Sequence, residues 1–333
     1  MSETTVAEQR QLLEQALFEI KRVIAGQDAM LERVLVCLLA GGHLLIEGVP
    51  GLAKTLTIKT TAQVLGGSFQ RIQFTPDLVP SDLVGTRVFR PSSADFDTEL
   101  GPVFCNFLLA DEINRAPAKV QSALLEVMQE RQVTIGHETH AVPQPFLVMA
   151  TQNPIESEGT YPLPEAQVDR FMLKILVGYP EHDEELTVVQ RSLVAAPELR
   201  RVLELERLRE LQEATAAVYV DPGIISYTVQ LATATRAPGT YGLGELAPYV
   251  SFGASPRGPI SLVQSARALA FLRGRDYVIA QDVDSLAKDA FRHRLVLSYQ
   301  ALAEQVDADR ILDAVLEKVT APELDVGRRE TAA

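Results

Sequence analysis

The sequence contains no tryptophan, two cysteines, five histidines and no long apolar run. Its longest apolar candidate, Val34–Ala40, is far shorter than the roughly 20 residues that a membrane-spanning helix needs. Cys37 and Cys105 lie in apolar surroundings, which predicts buried thiols in a reducing compartment rather than a disulfide or a metal site. The first residues lack the basic and then apolar pattern of a signal peptide. We therefore expect a soluble, cytoplasmic protein with no membrane insertion.

Basic residues are also fewer than acidic ones. The chain carries 44 acidic and 31 basic residues, a net charge of −13, and no stripe rich in lysine and arginine is evident. General affinity for nucleic acid depends on such a stripe. The composition therefore argues against a nucleic-acid partner, while 333 residues are enough for two domains of ordinary size.

Apolar segments of strand length alternate with helical segments over the first half of the chain. The strand candidates are His43–Glu47, Phe69–Phe74, Phe107–Asp111, Phe146–Thr151 and Phe171–Leu176. This alternation predicts an α/β fold with a parallel sheet that is covered by helices on both faces. Beyond Pro180 only helical spacing is found, which predicts a helical second domain.

We predict four regions from these patterns. They are an N-terminal helix at 1–25, an α/β core at 26–194, a helical domain at 195–325 and a flexible tail at 326–333. Two segments of the core, at about 75–106 and 132–143, have the pattern of β-hairpins. Because insertions of this length in compact domains are usually functional, we expect both hairpins to serve the activity.

A phosphate-binding loop is predicted between the first strand and the next helix. The residues assigned to it are Gly48, Val49, Pro50, Gly51, Leu52, Ala53, Lys54, Thr55 and Leu56. A strand, a glycine turn and a helix N-terminus direct backbone N–H groups at one point, where a triphosphate binds. Lys54 is expected to contact the β- and γ-phosphates, and the Thr55 hydroxyl to hold Mg²⁺. The alternative is an ordinary Gly-Pro-Gly turn with a solvated lysine.

One position departs from the standard phosphate-loop pattern, because Ala53 replaces its last glycine. Alanine is costly at positive φ and harmless at helical φ. We therefore expect Ala53 to lie in the first turn of the helix, with Gly48 and Gly51 supplying the tight turn.

Polar side chains end two further strands. Asp111 and Glu112 follow Phe107–Ala110, and Asn153 follows Phe146–Gln152. In a parallel sheet these ends lie at the edge where ligands bind. Asp111 is then expected to hold Mg²⁺, Glu112 to orient and deprotonate water, and Asn153 to contact that water or the γ-phosphate. A solvated turn after each strand is the alternative, since Asn-Pro is common in turns.

Taken together, these motifs resemble the AAA+ ATPases, and in particular the MoxR family. The carrying segments are Gly26-Gln27, Gly48–Thr55, Phe74–Leu78, Ala110–Ala116, Leu124–Glu126, Ala150–Pro154, Pro164–Phe171 and Gly253–Arg257. The resemblance implies an AAA+ P-loop NTPase core with a parallel five-stranded sheet between helices, followed by an all-helical lid domain. It also implies ATP and Mg²⁺ as ligands, and Ala53 is a variant that this family shows.

The resemblance assigns further roles to individual residues. Asn153 matches the sensor 1 residue, Arg170 the arginine finger that reaches a neighbouring subunit, and Arg257 the sensor 2 arginine of the lid. Ile24, Gly26 and Gln27 match the segment beside the adenine. Arg115 is a further candidate for the intersubunit site.

The same resemblance implies a homo-oligomeric ring, by kinship a hexamer, that remodels or activates a client protein. Family members act with a separate protein bearing a von Willebrand factor A (VWA) domain, which this chain would meet in trans. Alternatives within the superfamily are a nucleic-acid motor and a chelatase-type motor subunit. A module that binds nucleotide without hydrolysis is a further alternative. The sequence does not identify the client.

Overall fold

The computed structural model describes residues 3–49, 51–92, 94–154, 159–195 and 197–322. The chain forms two compact units, Met1–Ala214 and Thr215–Ala333. The predicted start of the helical domain near residue 195 therefore falls inside the first unit. The segment before the division hydrogen-bonds there: the Val202 N–H donates to the Val64 carbonyl at 2.8 Å, and Gln212 Nε2 donates to the Leu38 carbonyl at 2.6 Å.

The first unit combines a parallel sheet with helices and two hairpins. Its helices are α1 (Glu3–Val23), α2 (Asp28–Leu39), α3 (Lys54–Val64), α4 (Pro80–Val84), α5 (Ala118–Glu130), α6 (Glu165–Val168), α7 (His182–Ser192) and α8 (Leu205–Ala216). Its strands are β1 (Leu44–Gly48), β2 (Phe69–Gln73), β3 (Gly85–Arg90), β4 (Asp95–Leu100), β5 (Phe107–Asp111), β6 (Gln132–Ile135), β7 (Glu138–Ala141), β8 (Leu147–Gln152) and β9 (Leu173–Val177). The last residues of α8 cross the division between the units.

The five-stranded sheet is parallel, with the order β2-β5-β8-β1-β9. This confirms the predicted parallel sheet. The central strands are buried along most of their length because they are continuous apolar runs with helices on both sides. Gln73 pairs with Asp111, and Glu47 pairs with Gln152. The polar ends of these strands therefore lie level at one edge of the sheet.

One face of the sheet packs on α5 through apolar side chains that are almost fully buried. Leu45, Leu108 and Val148 of the sheet share a core cluster with Leu124 and Leu125 of α5. Each such side chain contributes about 1.5–3 kcal/mol by leaving water. This cluster holds β1, β5 and β8 in a fixed relation, so the groups at their ends are held as well.

His43 joins three elements of the core from a fully buried position before β1. Its Nδ1 accepts a hydrogen bond from the Val148 N–H at 3.0 Å, so Nε2 carries the proton and donates to the Met128 carbonyl at 3.2 Å. Burial lowers the pKa of His43 to about 4. The imidazole is therefore a neutral structural group.

The two predicted hairpins are present as separate two-stranded sheets. β3 pairs with β4, and β6 pairs with β7, both antiparallel. Phe89 faces Phe96 across the first hairpin, with ring centroids 5.2 Å apart and both side chains about half exposed. Arg87 lies over the Phe96 ring, and a Cβ on Gly136 of the second hairpin would meet the Arg87 side chain. The hairpins therefore touch each other.

The second unit is helical, as predicted, with one addition. Its helices are α9 (Pro222–Arg236), α10 (Arg257–Leu272), α11 (Ala280–Phe291), α12 (Tyr299–Ala303) and α13 (Ala308–Lys318). The addition is an antiparallel pair of short strands, β10 (Val250–Phe252) and β11 (Val296–Leu297). Short 3₁₀ helices at Pro238–Tyr241, Gly244–Tyr249 and Arg292–Arg294 also belong to this unit, and one at Ile113–Arg115 follows β5 in the first unit.

A buried charge cluster fixes the start of α11 in the second unit. The Asp282 carboxylate has no exposed surface, and Arg275 donates two hydrogen bonds to it, at 2.6 and 2.7 Å. Arg273 donates a third at 3.3 Å, and the Ile279 N–H a fourth at 3.1 Å. The carboxylate thus replaces its hydration shell with protein donors, which is what makes its burial tolerable.

Within the described part of the chain, no helix combines the length and the apolar character required to cross a membrane.

Candidate functional site

The loop after β1 is built around left-handed backbone at two positions. Gly51 has φ 86°, and Ala53 has φ 55° and ψ 15°, while Leu52 between them is not left-handed. A backbone that alternates in this way turns successive N–H groups to one side and forms an anion-binding concavity. Pro50, which we also assigned to the loop, lies outside the described residues.

Ala53 contradicts the expectation that its backbone is helical. It precedes the first residue of α3 and caps the helix in the left-handed region. Its carbonyl accepts hydrogen bonds from the Thr57 N–H at 2.8 Å and the Thr57 hydroxyl at 3.0 Å. These bonds and the buried strand before the loop hold the position, although left-handed backbone costs an L-residue with a Cβ about 1–2 kcal/mol.

Lys54 is held at the loop rather than extended into solvent. Its Nζ donates to the Gly48 carbonyl, and the side chain is half-buried. Burial lowers the pKa of Lys54, and the carboxylates of Asp111, Glu112 and Glu47 oppose that shift. The geometry therefore disfavours the alternative of a solvated lysine in an ordinary turn.

The Asp111 carboxylate is engaged on both oxygens. The Thr151 hydroxyl donates to Oδ1 at 2.6 Å. Arg71 donates to Oδ2 from Nε at 3.1 Å and from Nη2 at 2.6 Å. Strand β8 thus orients one side of the carboxylate and strand β2 the other.

Glu112 is fixed through its backbone and its side chain. Its φ is 55°, and its N–H donates to the Thr151 hydroxyl at 2.9 Å. Its Oε2 accepts from Gln73 Nε2 at 2.8 Å and from Arg115 Nη1 at 3.0 Å. A left-handed residue directly after β5 turns the chain sharply and points this carboxylate along the edge of the sheet.

These groups converge on one open cleft of about 430 Å³. It is lined by Gly48, Gly51, Leu52, Ala53, Lys54, Thr55, Leu56, Arg71, Gln73, Asp111, Glu112, Thr151, Gln152 and Asn153. The loop, the acidic pair and Asn153, which the sequence placed at three separate strand ends, therefore line one cleft.

Arg71, Gln73 and Thr151 are lining residues that we did not predict. Arg71 and Gln73 lie two residues apart on β2, whose alternation leaves both exposed and buries Ile72 between them. That alternation was the signal available in the sequence. Thr151 lies in the carrying segment Ala150–Pro154, but we gave it no role because a threonine inside a buried strand is ordinary.

The adenine-side candidates lie together at the start of α2. Ile24 is buried, and Gly26 and Gln27 both have left-handed backbone. Gln27 Nε2 donates to the Gly178 carbonyl at 3.3 Å, and a Cβ on Gly26 would meet the Glu184 carboxylate at 2.6–2.9 Å. The positive φ of this turn favours glycine at position 26, while the contact with adenine stays a prediction.

The two predicted arginines have different surroundings. Arg170 donates from Nη1 to the Leu125 carbonyl at 2.9 Å, and within the described structure it is not among the residues that line the cleft. Arg257 is the first residue of α10 in the second unit, and its N–H donates to the Ser255 hydroxyl at 3.2 Å. Their roles stay predictions.

Thr55 and Asp111 present a hydroxyl and a carboxylate to the same cleft. Mg²⁺ prefers such hard oxygen ligands and keeps several waters, so one or two protein groups are sufficient. The residues present therefore fit a magnesium ion bound together with phosphate oxygens.

The fold and the cleft define a P-loop nucleotide-binding protein of the AAA+ class. A family model described as "ATPase family associated with various cellular activities (AAA)" matches residues 43–173, and an "AAA lid domain" model matches residues 246–315. The chain is 56% identical to Chaperone MoxR1 of Mycobacterium tuberculosis over 313 residues, and this alignment covers 94% of this chain and 83% of that protein. It is 31% identical to Protein MoxR of Methylorubrum extorquens over 327 residues, an alignment that covers 91% of this chain and 93% of that protein. This chain belongs to the MoxR family of AAA+ ATPases.

A solved structure has the same fold. It comes from Cytophaga hutchinsonii, is named as a candidate ATPase, and superposes with a TM-score of 0.91 at 45% identity over 96% of this chain and 98% of that one.

Proposed function

We propose that this chain is a Mg²⁺-dependent ATPase that works as a homo-oligomeric ring, a hexamer by kinship, in the cytoplasm. The ring couples hydrolysis to the remodelling, maturation or activation of client proteins, together with a separate VWA-domain protein. The observation that carries the ATPase proposal is the convergence of Lys54, Asp111, Glu112 and Asn153 on one cleft beside the phosphate loop. The name of the similar Chaperone MoxR1 supports the remodelling role.

Each side chain has a role that follows from its place in the cleft. The loop N–H groups and Lys54 bind the β- and γ-phosphates. Thr55 and Asp111 hold Mg²⁺, which neutralises phosphate charge when bound. Glu112 orients the attacking water and accepts its proton, while Gln73 and Arg115 hold its Oε2.

The remaining residues complete the proposed site. Asn153 contacts the water or the γ-phosphate, and Ile24, Gly26 and Gln27 lie beside the adenine. Arg170 acts on the γ-phosphate of a neighbouring copy. This is consistent with its absence from the described lining of its own cleft. Arg257 acts as the lid arginine that responds to nucleotide state.

Two substitutions test the hydrolysis proposal. Glu112→Gln should retain ATP binding and reduce turnover by about a hundredfold or more, because the water loses its base. Lys54→Ala should abolish binding or hydrolysis, whereas Lys59→Ala, a change of an exposed lysine on the same helix, should leave both unchanged. Unchanged turnover in Glu112→Gln would refute the assignment.

A mixing experiment tests the shared site. Arg170→Ala and Glu112→Gln proteins should each have strongly reduced turnover alone and recover part of the activity when mixed, since a mixed ring contains sites with both side chains intact. No recovery at any mixing ratio would exclude an arginine supplied in trans. Stimulation of hydrolysis by DNA would instead favour a nucleic-acid motor.

The client and the VWA partner are accessible through the Glu112→Gln protein. Loaded with ATP it should hold its partners longer than the wild type, so both can be captured and identified. Capture of no VWA-domain protein would argue against that part of the proposal.

A further inference from the structure

Arg71 occupies the metal-facing side of the proposed site. Both Nε and Nη2 donate to Asp111 Oδ2, at 3.1 and 2.6 Å, and Nη2 also donates to Gln73 at 2.8 Å. The other carboxylate oxygen is committed to the Thr151 hydroxyl at 2.6 Å. The guanidinium thus holds the oxygen of Asp111 that the protein has not otherwise engaged.

The strand positions show how the Arg71 side chain reaches Asp111 from the open side of the cleft. Arg71 is paired with Leu109, two residues before the end of β5, so its side chain reaches along the strand to the carboxylate. The Arg71 side chain is 47% exposed, whereas the Asp111 side chain is 18% exposed. The carboxylate is held by the core while the guanidinium lies at the open side of the cleft.

Because both are positively charged, the Arg71 guanidinium and Mg²⁺ are alternative partners for Asp111 Oδ2. Asp111 and Glu112 are adjacent carboxylates that line the cleft together, and a positive partner relieves their repulsion. Two cations bound to one carboxylate oxygen would repel each other at close range. A Mg²⁺ ion at Oδ2 would therefore compete with Arg71 for that oxygen.

We propose that Arg71 is a built-in counter-ion for Asp111, which holds the carboxylate when no metal is bound and is exchanged for Mg²⁺ when Mg²⁺·ATP binds. Arg71 is a positioning residue that sets how strongly Mg²⁺ and ATP binding are coupled. The inference rests on the proposed function, because it takes Asp111 as the magnesium side chain.

The test compares ATP affinity with and without metal. The Kd of a fluorescent ATP analogue is measured with the full-length protein in EDTA and in saturating MgCl₂. The coupling is the Kd in EDTA divided by the Kd in MgCl₂, that is, the factor by which Mg²⁺ strengthens ATP binding. In Arg71→Gln the ratio should rise about three- to fivefold, since Mg²⁺ no longer competes with an exposed ion pair of ordinary strength. Arg71→Lys, which keeps the charge but loses the fork of donors, should fall between the two.

The outcomes separate this proposal from its alternatives. An unchanged ratio in Arg71→Gln refutes it, and equal weakening of both Kd values would show that Arg71 is a phosphate ligand instead. In an Asp111→Asn background, Arg71→Gln should no longer change the ratio; a change there also refutes the proposal.

A matched control comes from the first hairpin. Arg90 forms an exposed pair with Asp97 at 2.8 Å, remote in sequence from the cleft residues, and Arg90→Gln should leave the ratio at the wild-type value. If the wild-type protein itself binds no ATP, or binds it without any effect of Mg²⁺, the proposed function fails as well. A wild-type effect of Mg²⁺ that Arg71→Gln leaves unchanged overturns only the role of Arg71.

Discussion

Ala53→Gly should stabilise the protein, in contrast to the usual effect of an alanine-to-glycine change in the interior of a helix. Ala53 has φ 55° and ψ 15°. That backbone costs alanine about 1–2 kcal/mol through the contact of its Cβ with the following carbonyl, and glycine has no Cβ. Glycine gives back about 0.4–1 kcal/mol because it gains more freedom in the unfolded chain. The net expectation is a gain of about 1 kcal/mol.

The measurement is urea or thermal unfolding of the full chain without nucleotide. For a folded unit the size of Met1–Ala214, a gain of about 1 kcal/mol raises Tm by roughly 2–4 °C. The matched control is Ala123→Gly in the interior of α5, where the backbone is not left-handed and the side chain packs on the core cluster. There the same chemical change should lower the free energy of unfolding by about 1 kcal/mol or more.

The two variants are therefore expected to move stability in opposite directions. If Ala53→Gly destabilises as Ala123→Gly does, residue 53 is not left-handed in solution and the strain argument is wrong. If both are neutral, the loop does not contribute to the cooperative unfolding of its unit.

Three further predictions follow from buried polar groups. The pKa of His43 in the folded protein is about 4, below the ordinary 6.5, so the neutral imidazole contributes about 3 kcal/mol to the free energy of unfolding above pH 6.5. That contribution is lost as the pH falls from 6.5 towards 4. In His43→Gln, the free energy of unfolding in urea should depend less steeply on pH over this range, and an unchanged slope would contradict the assignment. Asp282→Ala should lower the free energy of unfolding of the second unit by about 3 kcal/mol because two arginines lose their carboxylate, and a urea midpoint equal to that of the wild type would refute the estimate. Thr151→Val should retain ATP binding but reduce turnover about 10- to 100-fold, because Asp111 loses the hydroxyl that orients it. The control is Thr233→Val, which should be neutral because the Thr233 hydroxyl donates to a carbonyl of its own helix at 2.8 Å. Steady-state kinetics of the two variants test the prediction.

Strands and helices that depend on continuous apolar patterning were the predictable part of this fold. β5 was predicted with its observed limits, because an apolar run ends there in two carboxylates. The parallel order and the level strand ends then brought Lys54, Asp111 and Asn153 to one edge. Such residues are predictable because each lies at the end of an element whose type is clear from the sequence.

Arg71 and Gln73 could not be predicted in the same way. β2 is an outer strand with mixed polarity, and its partner on β5 is known only once the sheet order is known. The pairing of Gln73 with Asp111 is a tertiary fact. Local pattern gives the face of a strand but not the carboxylate that its side chains will meet.

Backbone strain was the other feature that the sequence concealed. The described chain has six non-glycine residues with left-handed backbone: Gln27, Ala53, Ala94, Glu112, Arg131 and Gln305. Two of them, Ala53 and Glu112, line the cleft. Neither residue type favours that region, so tertiary contacts impose it, and strain of this kind gathers at functional sites.

The strain at these two positions has different meanings. At residue 53 a glycine relieves the strain and removes only a methyl group, so stability and the proposed activity are both preserved. At residue 112 a glycine would relieve the same kind of strain but would remove the carboxylate that Gln73 and Arg115 now engage. The strain at Ala53 is therefore dispensable, whereas the strain at Glu112 accompanies the side chain on which hydrolysis is proposed to depend. Glycine at residue 112 should therefore relieve strain and abolish activity together, whereas glycine at residue 53 should relieve strain and leave activity intact.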